Sequence, residues 1–335
     1  MTDTNDPIAY FLEDMSYHGR STRTREAYER VLRDFEADLE EDNTLDSVGH
    51  RDCLAWIADL RSTTAESTVA SYAAYLHRFY AYMTEVGIFD ENPMTLVMEE
   101  LDEQITTDPN RRDIAPPQMA EFVQSTGHPL SQAVITLLLK TGMRAGEACN
   151  LDLRDVSITE ATIPTGGVRP QLADRPNSLF VSDQPKQGTV INGETRAMSN
   201  KRQRETVIPI DAELRRVLIK WLAIRPDTTS PAEPLFVNTG RKWGDRLTGN
   251  DIHHLVTSRA ADFGWYESGA GAGENVTPHY FRHFFTTHLR DRTGDRGIVK
   301  YLRGDVATDV IDTYTHNWGD RVRDVYEANM YSLLD

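Results

Sequence analysis

Apolar positions in the first hundred residues recur with a helical period. Tyr28, Val31, Leu32, Phe35 and Leu39 follow Ser21-Thr22, a pair suited to capping a helix, and Val69, Tyr72, Leu76, Phe79 and Met83 repeat the pattern. Between them Cys53, Leu54, Trp56, Ile57 and Leu60 predict a further short helix, and Gly87 with Asn92-Pro93 closes the run. Residues 7–97 therefore read as a small helical bundle. From 99 to 117 periodicity is lost and Pro109, Pro116 and Pro117 appear, which predicts a linker between a first domain (1–98) and a second (118–335). In the second, 118–125 and 130–139 read as helices, 156–163, 179–182 and 206–210 as strands, and helices resume from Asp211. Residues 164–200, rich in Gly, Pro, Asn and Gln, read as a long, partly extended surface excursion. The expected fold is mainly α with a small antiparallel β-sheet.

Composition narrows the class. A chain of 335 residues exceeds what one core usually organises, and 39% apolar with 26% charged residues suits packed globular domains. The longest strongly apolar run, 134–139, falls far short of the roughly 20 residues a bilayer requires. The first ten residues are acidic where a secretory signal is basic, and Cys53 and Cys149 have no companion at metal-ligand or framework spacing. A soluble cytoplasmic protein with no membrane association is the expectation.

Net charge is −16, yet it is unevenly placed. Residues 1–110 hold 24 acidic and 8 basic residues, whereas 111–335 are balanced and carry basic clusters at Arg196, Lys201, Arg202, Arg204 and at Arg282, Arg290, Arg292, Arg296, Lys300, Arg303. The total thus does not exclude a nucleic-acid partner. Only six of the 36 basic residues are lysine; abundant acid with Arg for Lys fits a salt-rich, halophilic cytoplasm, and a GC-rich genome gives the same bias.

Three stretches carry candidate chemistry. In KTGMRAGEACNL a helix is predicted to end at Thr141-Gly142 and another to begin near Arg144, setting a guanidinium beside backbone N–H groups that suit an anion, with Glu147 one turn on to hold it. The plain alternative is a surface Arg–Glu pair. In VTPHYFRHFFTTHLRD, His279 and Arg282 share one helical face. His283 and His288 extend the run, but position 280 is Tyr where a zinc HExxH motif has Glu, and no third ligand is evident. In YLRGDVATDVIDTYTHNW, Tyr314 is expected at the end of a short polar helix; by itself it is an ordinary packing candidate.

Taken in order, TG-x-R-x-x-E-x-x-x-L, a Lys in a basic turn before Val-Ile-Pro-Ile, H-x-x-R-H, and a Tyr followed by Thr-His resemble the tyrosine recombinase (phage integrase) family. The stretch STVASYAAYLHRFYAYMTEVGIFDENP is similar to the family's core-binding domain, so the resemblance spans nearly the whole chain. It implies a helical, SAM-like core-binding domain and a mixed α+β integrase catalytic domain clamped about double-stranded DNA, and a homotetramer in the synaptic complex. It implies Arg144, His279 and Arg282 as catalytic residues, Tyr314 as nucleophile, and transesterification through a 3′-phosphotyrosyl bond with no metal or other cofactor. Asp305 stands nine positions before Tyr314, where the family commonly has a second His; a carboxylate there can orient neighbouring Arg or Lys groups. Lys201 fits the general acid and Lys186 is the alternative. A non-catalytic DNA-binding relative, or a type IB topoisomerase-like activity, is the rival reading.

Beyond Tyr314, residues 315–335 form a C-terminal tail. Val322, Val325, Tyr326, Met330 and Leu333 recur at near-helical spacing, and this stripe is expected to dock on a neighbouring protomer, with packing on its own domain as the alternative.

Overall fold

The computed structural model describes residues 6–40, 43–103, 111–159, 167–305 and 321–334. The chain divides into two compact units, Met1–Pro109 and Asn110–Asp335.

The first unit is helical: α1 (Pro7–Tyr17), α2 (Thr22–Asp38), α3 (His50–Thr63), α4 (Glu66–Glu85) and α5 (Met94–Glu99). Ser21 caps α2, its hydroxyl accepting the Thr24 N–H at 3.1 Å. Every third or fourth residue then points inward. Val31, Leu32, Phe35, Ile57, Leu76 and Phe79 are fully buried around Cys53, and aromatic edges close the core, with Phe11 meeting Phe79 at 5.5 Å between ring centres.

The second unit opens with α6 (Pro116–Gln124), where Pro116 sits at the first helical turn, its missing N–H no loss there. Of the segment expected as linker, Arg112 already bonds Gly273 and Glu274, and Ile114 lies in this unit's core. Then follow α7 (Pro129–Thr141), α8 (Ala145–Cys149), β1 (Val156–Ser157), β2 (Ser178–Val181), β3 (Val190–Ile191), β4 (Glu194–Thr195), β5 (Thr206–Pro209), α9 (Ala212–Ile224), α10 (Gly249–Asp262), α11 (Pro278–Thr293), α12 (Arg296–Arg303) and α13 (Arg321–Asn329). Helix α7 is the central element, buried at Leu130 and from Ala133 to Thr141 between α9 and α11. The sheet is antiparallel, in order β1-β2-β5, with Leu179 facing both Val156 and Ile208. β3 and β4 form a separate hairpin.

One expectation is qualified and one corrected. Residues 167–200 lie largely at the surface and are partly extended, as expected, but the stretch is anchored to the unit: β2 is buried along its length, and Arg196 is 1% exposed because both its terminal nitrogens reach Asp152, at 2.7 and 3.1 Å. The C-terminal stripe packs on its own unit. Val322, Tyr326, Tyr331 and Leu333 join the core, each large side chain contributing on the order of 1.5–3 kcal/mol by leaving water. Its anchor is polar. Lys140, 1% exposed on α7, needs acceptors for a buried ammonium, and finds the Tyr331 carbonyl at 2.5 Å with Asp211 and Glu213 at 2.7 and 2.8 Å. Glu213 in turn accepts the Leu333 N–H at 2.9 Å and the Ser332 hydroxyl at 2.6 Å.

Candidate active site

The site is assembled where α7 stops. Gly142 ends it in the left-handed region, φ +62°, where a side chain would also overlap the Phe285 ring of α11. The turn delivers Arg144 to the N-cap of α8. Glu147, fully buried, accepts from the Arg144 backbone N–H and from Nη1, both at 3.1 Å, so the guanidinium is held from below, as the spacing predicts. Arg144 Nη1 also donates to the Lys201 carbonyl at 3.4 Å, which brings the turn before β5 to the same spot, with the Lys201 side chain exposed.

On α11, Arg282 faces inward and His279 lies one turn earlier at the surface. The Arg282 terminal nitrogens donate to the Gly142 carbonyl at 2.7 Å, to the Arg303 carbonyl at 3.3 Å and to Asp305 Oδ1 at 2.8 Å. Burial, then the cations of Arg303 and Arg144, push its pKa down to about 9, which still leaves it charged at neutral pH. The same crowding lowers the pKa of the exposed His279, partial desolvation first and then Arg111, Arg282, Arg144 and Arg303, which favours the neutral imidazole.

Asp305 joins the two arginines. Its Oδ1 lies 2.8 Å from Arg282 Nη2 and 3.5 Å from Arg144 Nη2, and its Oδ2 is 3.0 Å from Arg303 Nε. Of the sequence-predicted residues, Arg144, Arg282 and Asp305 are thus in direct contact, His279 shares their electrostatic environment and Lys201 touches Arg144 through its backbone. Lys186 is exposed in the turn opening the β3–β4 hairpin, its N–H and carbonyl both bonded to Thr189. Tyr314 lies outside the described residues.

Sequence reasoning missed the strut beneath the site. Arg202, read there as part of a basic cluster, is fully buried, with Nη2 3.2 Å from Glu147 Oε2 and both terminal nitrogens 3.2 Å from the Leu302 carbonyl. Gly304 accommodates it: φ is +71°, and a Cβ would overlap the Arg202 stem. Asn150 and Asn200 add a second tie, the Asn150 amide donating to the Met198 carbonyl and to Asn200 Oδ1 at 2.9 and 2.8 Å. No local signal marks Arg202 in the sequence; its partners stand 55 and 100 positions away.

The likeness to known proteins follows the same residues. The sequence pattern of the Phage integrase family matches residues 117–319, and that of the family's N-terminal SAM-like domain matches 8–87. The chain belongs to the phage integrase family. As a member it is a tyrosine-type site-specific recombinase, a DNA strand transferase. It is 23% identical to tyrosine recombinase XerC of Pelobacter propionicus, over 92% of this chain and 89% of that one, and 25% identical to tyrosine recombinase XerD of Listeria innocua, over 98% of each. Among solved structures, the Tn1549 transposon integrase in complex with a circular intermediate DNA superposes with a TM-score of 0.64 at 18% identity, covering 93% of this chain and 94% of that one. A lambda integrase dimer bound to a core site gives 0.63 at 14%, covering 92% and 95%. The tyrosine recombinase fold expected from the sequence, helical with a small antiparallel sheet, is the one found. No helix among the described residues is long and apolar enough to cross a membrane.

Proposed function

We propose that this tyrosine recombinase binds double-stranded DNA and grips the scissile phosphate between Arg144 and Arg282 while Tyr314 attacks phosphorus. The observation that carries the reading is their convergence on one carboxylate oxygen, Asp305 Oδ1, hydrogen-bonded by Arg282 at 2.8 Å and ion-paired with Arg144 at 3.5 Å, which puts both guanidiniums within reach of a single phosphate group. Attack forms the P–O(Tyr) bond and breaks the P–O5′ bond, leaving a 3′-phosphotyrosine and a free 5′ hydroxyl. Charge grows on the non-bridging oxygens as phosphorus becomes pentacoordinate, and the clamped guanidiniums stabilise it without reorganising.

Lys201 protonates the departing 5′ oxygen, a role its turn favours over Lys186 because its backbone abuts Arg144. Neutral His279 accepts the Tyr314 proton directly or through water. Transfers of this kind contribute about 10²–10⁴-fold each. The phosphotyrosyl bond retains the energy for religation to another 5′ hydroxyl, and exchange between two duplexes calls for four protomers. The setting is the cytoplasm, with concentrated salt indicated by the Arg-for-Lys bias.

The test is a suicide half-site whose cleaved end diffuses away. Wild type is expected to accumulate a covalent adduct at Tyr314, and Tyr314→Phe to bind the half-site with no adduct. Binding with no adduct from wild type overturns the reading in favour of a non-catalytic relative, and an adduct on Tyr301 or Tyr326 overturns the choice of nucleophile.

A further inference from the structure

The clamp on the phosphate is already occupied by the protein's own carboxylate. Arg282 has four terminal N–H hydrogens, and each has an acceptor: Nη1 serves the Gly142 and Arg303 carbonyls, and Nη2 serves the Arg303 carbonyl and Asp305 Oδ1. Three of these acceptor contacts are backbone and fixed by α7 and α12. The fourth, Asp305, is a side chain, 26% exposed. A phosphoryl oxygen therefore obtains an Nη2 hydrogen of Arg282 by taking the place of Asp305 Oδ1.

The charge balance points the same way. The ion pairs of Arg144, Arg202, Arg282 and Arg303 among the described residues run to two carboxylates, Glu147 and Asp305. Glu147 is sealed beneath Arg144 and Arg202 and cannot leave. Asp305 is also ion-paired with Arg303, whose Nε lies 3.0 Å from Oδ2 and whose side chain is 28% exposed. Rotation of the carboxylate about this contact takes Oδ1 off Arg282 while Oδ2 keeps a cationic partner, so no unpaired charge is left in the site.

We propose that Asp305 is a placeholder anion: it occupies the position of the scissile phosphate between Arg144 and Arg282, and yields to DNA by turning onto Arg303. This rests on the phosphate-gripping role given to the two arginines above. Without DNA, the carboxylate neutralises guanidiniums that would otherwise repel one another and attract small anions. With DNA, a phosphodiester must compete for them, so the placeholder lowers affinity for any phosphate that cannot supply the rest of the duplex contacts. Asp305 is thus a positioning residue with a direct effect on binding.

The test uses the full chain in a Tyr314→Phe background, so that equilibrium affinity is read without chemistry. Asp305→Asn keeps the shape and removes the charge. The half-site Kd is expected to fall about tenfold, the scale of one charge-assisted hydrogen bond gained, and inorganic phosphate is expected to compete at about tenfold lower concentration. Asp305→His removes the anion with a different shape and carries the same expectation should the Asn variant not fold. The gain must vanish in an Arg282→Ala background. Unchanged or weaker binding by the Asp305 variants overturns the proposal, and so does an equal gain without Arg282, which marks a general charge effect. A wild type that forms the Tyr314 adduct while the Asp305 variants bind no tighter overturns this inference alone and leaves the proposed function intact.

Discussion

Glu147→Gln isolates the strut that supports the clamp. The substitution preserves volume, so packing around the 0%-exposed side chain is unchanged, and removes the carboxylate that faces Arg202 at 3.2 Å and Arg144 at 3.1 Å. Arg202 is itself 0% exposed and has no route to water. Removing one partner of a buried ion pair costs about 3–5 kcal/mol because the remaining charge is stranded in low dielectric. A neutral amide still accepts one of the lost hydrogen bonds, so the lower end, about 3 kcal/mol, is expected. For a unit of this size that lowers the melting temperature of the catalytic unit by about 6–12 °C. Urea unfolding of Glu147→Gln, Arg202→Met and the double variant gives the coupling directly. Removing both charges relieves the stranded one, so the double variant is expected to recover about 2 kcal/mol relative to the sum of the singles. Additive losses, or a loss below about 1 kcal/mol for Glu147→Gln, would refute the claim that this pair is a buried, mutually dependent support.

Three further outcomes follow from the geometry. Arg282→Lys is expected to lose at least about 100-fold in adduct formation, since one ammonium cannot reach the Gly142 and Arg303 carbonyls and also a phosphoryl oxygen; near-wild-type rates in a suicide-substrate assay contradict this. A 5′-bridging phosphorothiolate, whose leaving group needs no proton, is expected to restore cleavage to Lys201→Ala but to give Lys186→Ala no comparable gain; the reverse pattern reassigns the general acid. Glu213 opposes burial with bonds from Lys140 and Ser332 that hold its carboxyl down to about 2, below its ordinary 4.5. Its stabilising contribution is therefore complete above about pH 4.5 and disappears as the pH falls through about 2. Glu213→Gln should flatten that part of the stability profile, and an unaltered acid transition counts against the clasp.

The helices were legible because burial imposes a period that sequence records: Val31, Leu32, Phe35, Leu76 and Phe79 were read inward and are fully buried. The break after Thr141 was legible for the same local reason, a glycine able to take positive φ where α7 must stop. Among the site residues, the contact between Arg144 and Glu147 could be anticipated at three positions apart. What sequence could not disclose was the partner of a charge. Arg196 and Arg202 stand in a cluster of basic residues, yet each is buried on a carboxylate, Asp152 and Glu147, 44 and 55 positions earlier. The C-terminal stripe posed the same problem in apolar form. Its period announced burial but not against which surface, and the surface was decided by Lys140, a buried ammonium far away in the chain that needs the Tyr331 carbonyl and Glu213.

Gly304 and Arg202 have a consequence for how this protein can change over time. The space that a β-carbon at 304 would take is filled by the Arg202 stem, and the Arg202 head is what joins Glu147 to the Leu302 carbonyl. A mutation giving position 304 a side chain is blocked while 202 is arginine, and shortening 202 first opens a void and leaves Glu147 with Arg144 as its remaining cation. Neither order offers a neutral intermediate. The constraint runs in one direction: a side chain at 304 requires a shorter residue at 202, whereas Gly304 itself tolerates any residue there.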